Sequence, residues 1–200
     1  MTSRRIGLVA VVYGVLLGAL ALLPPGSWPL ALPFVFSQAL GLIAVVLVLA
    51  LQYALWVLSA GRPGRALLLA AFVLAVMANL AVLLVLVPMP FPTAILQSAF
   101  MFIASLLLAA GLVRGRLIPS WIPPCWVGAA SVSLVATAWR VALSFTPPNA
   151  TLQFWQHAIG LLSTGLAVVF WVALGVALIR TDVAGHAEHA LPADNTPRSR

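Results

Sequence analysis

The sequence predicts an all-α membrane protein, a polytopic bundle of six transmembrane helices with both termini in the cytoplasm. Three observations lead to this prediction. The 200-residue chain is 64% hydrophobic and only 6% charged, whereas a soluble domain carries about 25% charged residues. Its apolar residues fall into six long stretches. The breaks between these stretches alternate between arginine-rich and proline-rich.

Each predicted helix is an apolar run close to the length of about 20 residues that crosses the hydrocarbon core of a bilayer. Backbone N–H and C=O groups must be paired within lipid, so such runs are expected to be helical. The first run is the shortest, and the second and sixth are long enough to tilt. The predicted spans are Ile6–Leu23, Phe34–Ala60, Ala66–Val87, Thr93–Val113, Ile122–Phe145 and Phe154–Ile179.

The first helix follows the basic pair Arg4 and Arg5 and has two possible interpretations. Residues 19–21, Ala-Leu-Ala, resemble the cleavage site of a signal peptide. The apolar run continues beyond them and five more runs follow, which favours a helix that is not cleaved. Gly14 and Gly18 also give this helix a smooth stripe, suited to close contact within the bundle or between copies.

The loops predict the orientation of the bundle, because short loops that carry arginine stay in the cytoplasm. Arginine pairs precede helix 1, separate helix 2 from helix 3 and helix 4 from helix 5, and Arg180 follows helix 6. Nine of the ten arginines lie on this predicted inner side. The other three breaks are uncharged and rich in proline, and are predicted to lie outside. They are residues 24–29, 88–92 and 146–149.

Residues 1–180 are therefore predicted to form one transmembrane domain, and residues 181–200 a polar, disordered cytoplasmic tail. The tail contains all three acidic residues of the chain. The net charge of +7 reflects the dispersed arginines, which are orientation signals and form no basic face for nucleic acid. The absence of lysine and the abundance of Ala, Leu, Val, Gly, Arg and Pro are typical of high-GC bacterial coding, which predicts a bacterial plasma-membrane location.

Polar side chains inside a bilayer are costly and often functional. In this topology, five helices each place a polar residue in the outer half of the bundle, whereas the inner half has little beyond Gln52. This asymmetry is the main functional signal in the sequence. The five residues are Gln38, Asn79, Gln97, Arg140 and His157.

The spacing predicts that two of these residues face the bundle interior. Arg140 shares a helical stripe with Ala129 and Ser133, and His157 shares one with Thr164. Small and hydroxyl residues mark the packed side of a membrane helix. We therefore expect Arg140 and His157, with Gln38, Asn79 and Gln97, to line an outward-facing pocket for a lipid or small amphiphile with an anionic or polar headgroup.

Structural roles are the alternative for the same residues. The Arg140 guanidinium can extend to the outer interface, and His157 can be a hydrogen-bonded structural residue. The amides can serve as interhelical contacts that contribute about 0.6 kcal/mol each.

The sequence contains no motif for catalysis, a cofactor or a metal. No Asp or Glu lies in a predicted span, which argues against a proton-coupled carrier and against carboxylate-based lipid chemistry. A single Cys125 excludes an internal disulfide and a cysteine-based zinc site. His186 and His189 lie in the tail and make a poor metal site.

Two segments resemble bacterial six-helix membrane proteins that are grouped as a domain of unknown function. One is residues 112–121, LVRGRLIPSW, a basic turn that leads into Pro-x-Trp at the start of a helix. The other is residues 170–180, FWVALGVALIR. The resemblance covers the last third of the chain and implies the six-helix fold, without any catalytic residue.

Three function classes remain open at this point. The first, which we favour, is a non-catalytic component that binds a lipid or small amphiphile, or that acts as an accessory subunit of a membrane partner. The second is a small transporter or transporter subunit, which requires a polar path to the cytoplasm. The third is a membrane enzyme acting on a lipid or isoprenoid, which requires titratable groups within reach of one another.

Overall fold

Six α-helices form the part of the chain that the computed structural model describes, which is residues 2–22, 32–84, 92–143, 145 and 149–190. Side chains are described for 2–19, 42–80, 95–143, 145, 149, 151–152 and 154–181. The proline-rich breaks fall almost entirely outside these residues. The helices are α1 (Ser3–Leu22), α2 (Leu32–Leu58), α3 (Arg65–Leu84), α4 (Pro92–Arg114), α5 (Ile122–Leu143) and α6 (Ala150–Ala190).

The prediction of an all-helical fold is confirmed, and the helices begin and end close to the predicted spans. Three of them, over Ile95–Arg114, Ile122–Leu143 and Phe154–Thr181, are long and apolar enough to cross a membrane. Shorter apolar segments lie at Leu42–Leu58 and Arg65–Leu80 within the described residues. These features indicate a membrane protein.

The last helix is longer than its predicted span. Its backbone remains helical to Ala190, whereas the predicted span ends at Ile179. Residues 191–200 lie outside the described part of the chain, and the disorder of the tail stays a prediction.

The helices are arranged in a ring. Each packs against its neighbours in sequence, α1 also packs against α6, and among the described residues no other pair of helix backbones approaches closely. α1 and α6 are antiparallel, since Gly7, Gly14 and Gly18 of α1 meet Gly175, Trp171 and Val168 of α6 in the reverse order. α3 and α4 are also antiparallel, since Leu68 meets Gly111 and Asn79 meets Met101. Because the number of helices is even, the ring can close with every neighbouring pair antiparallel.

The glycine stripe of α1 provides the contact that closes the ring. A Cβ atom at Gly7 would lie 2.6 Å from the carbonyl oxygen of Gly175, and one at Gly14 would lie 3.2 Å from the Cβ of Trp171. Gly18 faces Val168. The small residues therefore serve packing within the bundle, the first of the two roles predicted for them.

The buried core lies toward one end of the ring, which we call the arginine end because Arg5, Arg65, Arg114 and Arg180 lie there. By contrast, none of the described residues in 130–143 and 154–169 is buried. Among the described residues, the buried side chains therefore lie mainly toward the arginine end. The core includes Ile6, Ala10, Leu51, Leu55, Leu68, Ala71, Leu108, Leu112, Leu174 and Leu178.

An aromatic cluster lies where the filled part of the ring meets the open part. Trp171 is fully buried and makes edge-to-face contacts with Tyr13 and Trp126, with ring centroids 5.3 Å apart in both pairs. Trp126 also stacks on Phe170 at 5.0 Å. These four rings, the aromatic floor, connect α1, α5 and α6 across the interior.

The turn after α4 places an arginine where helices usually end in glycine. Leu117 N donates to Leu112 O and Arg116 N donates to Val113 O, the bond pattern of a Schellman C-cap. Arg116 has φ 48°, the left-handed conformation, although Gly115 is next to it. That conformation costs a residue with a side chain about 1–2 kcal/mol.

Candidate functional site

A cavity of about 290 Å³ lies between α4, α5 and α6 on the open side of the aromatic floor. We call it the serine cavity, because four serines and one glutamine are its polar residues. Its apolar walls come from Met101, Phe102, Trp126, Ala129, Ala130 and Ala167. Its polar residues are Gln97, Ser98, Ser105, Ser133 and Ser163.

The depth of the serine cavity follows from helix geometry. At a rise of 1.5 Å per residue, Ser98 lies about 9 Å and Ser105 about 20 Å from the start of α4 at Pro92. The cavity therefore extends from the first third of α4 to beyond its middle. There it reaches Trp126, which belongs to the aromatic floor.

Most hydroxyl protons around the cavity are already engaged. Ser105 donates to the Met101 carbonyl at 2.7 Å, and Ser163 donates to the Ala129 carbonyl at 2.9 Å. Ser98 donates to Thr137 at 3.0 Å, and Thr137 in turn donates to the carbonyl of Ser133 at 2.9 Å. A hydroxyl oxygen retains acceptor capacity after it donates, so these groups offer acceptors to a ligand.

One donor at the cavity has no partner among the described residues. The indole Nε1 of Trp126, a residue that lines the cavity, is buried and makes no hydrogen bond there. Leaving such a donor unpaired costs about 1–3 kcal/mol. A bound molecule or water that accepts from this indole would remove that cost.

Of the five residues predicted to form the site, Gln97 alone lines the serine cavity. Asn79 lies behind its wall, where its amide nitrogen donates to the Ala75 carbonyl at 2.7 Å and contacts the Met101 sulfur at 3.8 Å. Arg140 and His157 are exposed and do not line the cavity. Gln38 belongs to α2, but its side chain lies outside the described residues.

The stripe assigned to Arg140 does face the cavity along its inner part. Ala129 and Ser133, which share this stripe, both line the cavity. Arg140 lies two turns beyond Ser133 and is exposed in the last turn of α5. The part of Arg140 in a ligand site stays a prediction.

On α6 the face that lines the cavity differs from the predicted one. Ser163 and Ala167 line the cavity, about 120° and 80° around the helix from His157. The His157 stripe instead contains Thr164, whose hydroxyl donates to the Gly160 carbonyl at 3.0 Å. Gln156 and Ser163 are seven residues apart and therefore share one face of α6. This polar spacing was the sequence signal for the face that lines the cavity.

The described residues offer no alternative chemistry at this site. No three His, Cys, Asp or Glu side chains come together as metal ligands in the described part of the chain. The thiol of Cys125 points to the carbonyl of Trp121 at 4.0 Å. The cavity thus combines serine oxygens that can accept hydrogen bonds, the Gln97 amide, the Trp126 indole and apolar walls.

Comparison with models of protein families, with curated proteins and with solved structures gives no match to this chain. The likeness of residues 112–121 and 170–180 to the six-helix family therefore stays a resemblance. The geometry of the serine cavity is the basis for a functional assignment.

Proposed function

We propose that this chain is a multi-pass protein of the bacterial plasma membrane that binds a lipid or small amphiphile in the serine cavity. In this proposal all six helices span the bilayer, and both termini and the arginine end face the cytoplasm. The placement of arginines at one end of the ring supports this orientation through the positive-inside rule.

The observation that carries the proposal is a cavity with serine hydroxyls and apolar walls that adjoins a packed aromatic cluster. Below the serine cavity, the rings of Trp126, Phe170 and Trp171 fill the interior. Buried leucines, among them Leu108 and Leu174, fill the space toward the arginine end. A carrier needs a path between both sides, so this packing favours a binding component over a transporter.

The lining suggests the chemistry of the ligand. The serine oxygens accept hydrogen bonds, which favours a head that carries hydroxyl or ammonium donors. The volume of about 290 Å³ is at the low end of ligand pockets. It suits a small headgroup or one segment of an amphiphile, with the remainder along the apolar walls of Met101 and Phe102.

Arg140 is the candidate for attracting an anionic group to the mouth of the cavity. It lies seven residues beyond Ser133, which corresponds to about 10 Å along α5. Guanidinium groups bind phosphate and carboxylate in a bidentate manner. We therefore assign Arg140 to the mouth, and Gln97, Ser133 and Ser163 to the cavity itself.

The proposal is tested by filling the cavity. Ala130→Phe places a ring in the serine cavity, whereas Ala138→Phe places the same ring on an exposed position of the same helix. Each purified full-length protein is incubated in detergent with bacterial polar lipids and analysed by native mass spectrometry. We expect wild type and Ala138→Phe to retain the same bound species and Ala130→Phe to lose it.

The proposal fails if Ala130→Phe retains that species at wild-type occupancy, or if wild type retains none. The role of Arg140 is tested separately with Arg140→Leu and Arg140→Lys. Retention of an anionic species should fall in the leucine variant and persist in the lysine variant. Equal retention in both variants would remove Arg140 from the site and leave the cavity assignment in place.

A further inference from the structure

A second concave surface, of about 770 Å³, lies at the arginine end between the α4–α5 loop and residues 168–181 of α6. We call it the arginine groove. Arg116 and Trp121 border it on one side, and Arg180 of α6 borders it on the other. Val172 and Val176 form part of its apolar floor.

The dimensions of the groove match those of a lipid chain. Its residues on α6 run from Val168 to Arg180, which corresponds to about 18 Å at 1.5 Å per residue. One leaflet of the hydrocarbon core is about 15 Å thick. An acyl chain lying along the groove would therefore reach the middle of the bilayer while its headgroup stayed beside the arginines.

The charges at the end of the groove have no described counterpart. Arg116 and Arg180 are both exposed, and the chain has no Asp or Glu before residue 182. Arg116 also has the left-handed backbone of the α4 C-cap, a conformation that is strained for a residue with a side chain. Strained positions of this kind cluster at binding sites.

The third polar feature of the groove is Trp121. This side chain is 61% exposed, and it precedes α5 at the same end as the two arginines. Tryptophan is enriched at the level of the lipid headgroups. Its position therefore marks the depth at which the phosphate of a lipid would lie.

We propose that the arginine groove binds one anionic phospholipid of the cytoplasmic leaflet. The phosphate lies between the guanidinium groups of Arg116 and Arg180, and one acyl chain runs along Val168, Val172 and Val176. Basic pockets on the cytoplasmic side of membrane helices recognise such headgroups. The inference rests on the membrane embedding and orientation proposed above, but not on the serine cavity.

The test measures binding of a defined lipid to the full-length protein. Detergent-solubilised protein is titrated with dioleoyl phosphatidylglycerol, or with dioleoyl phosphatidylcholine, and the complexes are counted by native mass spectrometry. The variant Arg116→Gln/Arg180→Gln removes both charges of the groove. The control Arg62→Gln/Arg65→Gln removes two charges from the α2–α3 turn at the same end of the ring.

We expect phosphatidylglycerol to bind wild type and the control pair more tightly than phosphatidylcholine. The groove variant should bind phosphatidylglycerol about 30-fold more weakly, because each basic residue near an anionic lipid contributes about fivefold to affinity. Val176→Trp, which narrows the groove without changing its charge, should also weaken binding.

Three results of the titration with the charge variants would overturn the inference. They are unchanged affinity in the groove variant, an equal loss in the control pair, or equal binding of the two lipids by wild type. Ala130→Phe separates this site from the serine cavity, since it should leave phosphatidylglycerol binding unchanged. Loss of that binding in Ala130→Phe would assign the lipid to the serine cavity and exclude the groove.

Discussion

Gly7 of α1 lies directly against Gly175 of α6, and neither position has room for a side chain. A Cβ atom at Gly7 would lie 2.6 Å from the Gly175 carbonyl oxygen, and one at Gly175 would lie 2.6 Å from Cγ2 of Val11. Small residues at membrane helix interfaces allow the backbones to approach closely. This contact joins the first helix to the last and so closes the ring around the aromatic floor.

Gly175→Ala should destabilise the protein, because the added methyl group meets backbone and side-chain atoms of α1. Overpacking of this kind costs about 1–3 kcal/mol. The matched control is Gly165→Ala, also in α6, where a Cβ would meet nothing within 4 Å. The control should be neutral or more stable by up to about 1 kcal/mol, since alanine favours helix. Thermal unfolding in detergent measures both, and equal stability of the two variants would contradict the observed packing.

Two glycines of the α2–α3 turn allow the cost of a left-handed backbone to be compared with the cost of a steric clash. Gly61 and Gly64 both have left-handed backbones, with φ 75° and φ 92°. A Cβ at Gly61 would meet nothing within 4 Å, whereas one at Gly64 would lie 2.6 Å from the Gly111 carbonyl oxygen. Gly61→Ala should therefore cost about 1–2 kcal/mol from the backbone alone. Gly64→Ala should cost more. Denaturant titration of the two variants tests the order, and a smaller loss in Gly64→Ala would refute the close approach of α3 to α4.

The aromatic floor should contribute strongly to stability. Trp171 is fully buried against Tyr13 and Trp126, so Trp171→Ala should lower the free energy of unfolding by about 3–5 kcal/mol. Trp155 is 54% exposed, and Trp155→Ala should change it by no more than about 0.5 kcal/mol. Detergent unfolding curves compare the two directly. A comparable loss in both variants would mean that Trp171 does not close the interior.

The hydrogen bond between Ser98 and Thr137 is expected to be a modest interhelical contact. The hydroxyl groups are 3.0 Å apart and join α4 to α5 beside the serine cavity. A double-mutant cycle with Ser98→Ala and Thr137→Val should give a coupling energy of about 0.6 kcal/mol. Coupling near zero would show that the two helices are not joined at this point.

The sequence was sufficient to predict the helices, because their apolar runs and the breaks between them are local features. Ile122 begins both the predicted span and α5, and the predicted start of the fourth span at Thr93 is one residue after that of α4. The end of α6 was harder to predict from the sequence. The apolar run stops at Ile179, whereas the helical backbone continues beyond this run to Ala190.

The site was only partly predictable from the sequence. Gln97, Ala129 and Ser133 line the serine cavity, whereas the depth assigned to them depends on the predicted topology. Which face of α6 turns inward depends on how α6 packs against α1 and α5, and this packing depends on Gly175, Trp171 and their partners in three dimensions. The spacing of His157 and Thr164 predicted that their face of α6 turns inward. The face that lines the cavity is the one that contains Ser163. Trp126 was missed because its role arises from rings on other helices.

Cysteine labelling in intact bacterial cells tests the proposed embedding and orientation most directly. In a Cys125→Ala background, the single variants Arg62→Cys, Arg114→Cys and Asn149→Cys are treated with a membrane-impermeant maleimide. Asn149 is exposed just before α6, on the predicted outer side. We expect labelling of Asn149→Cys in intact cells, and of Arg62→Cys and Arg114→Cys only after the membrane is permeabilised. Labelling of either arginine-site variant in intact cells would reverse the bundle, and both proposed lipid sites would then be assigned to the wrong leaflets.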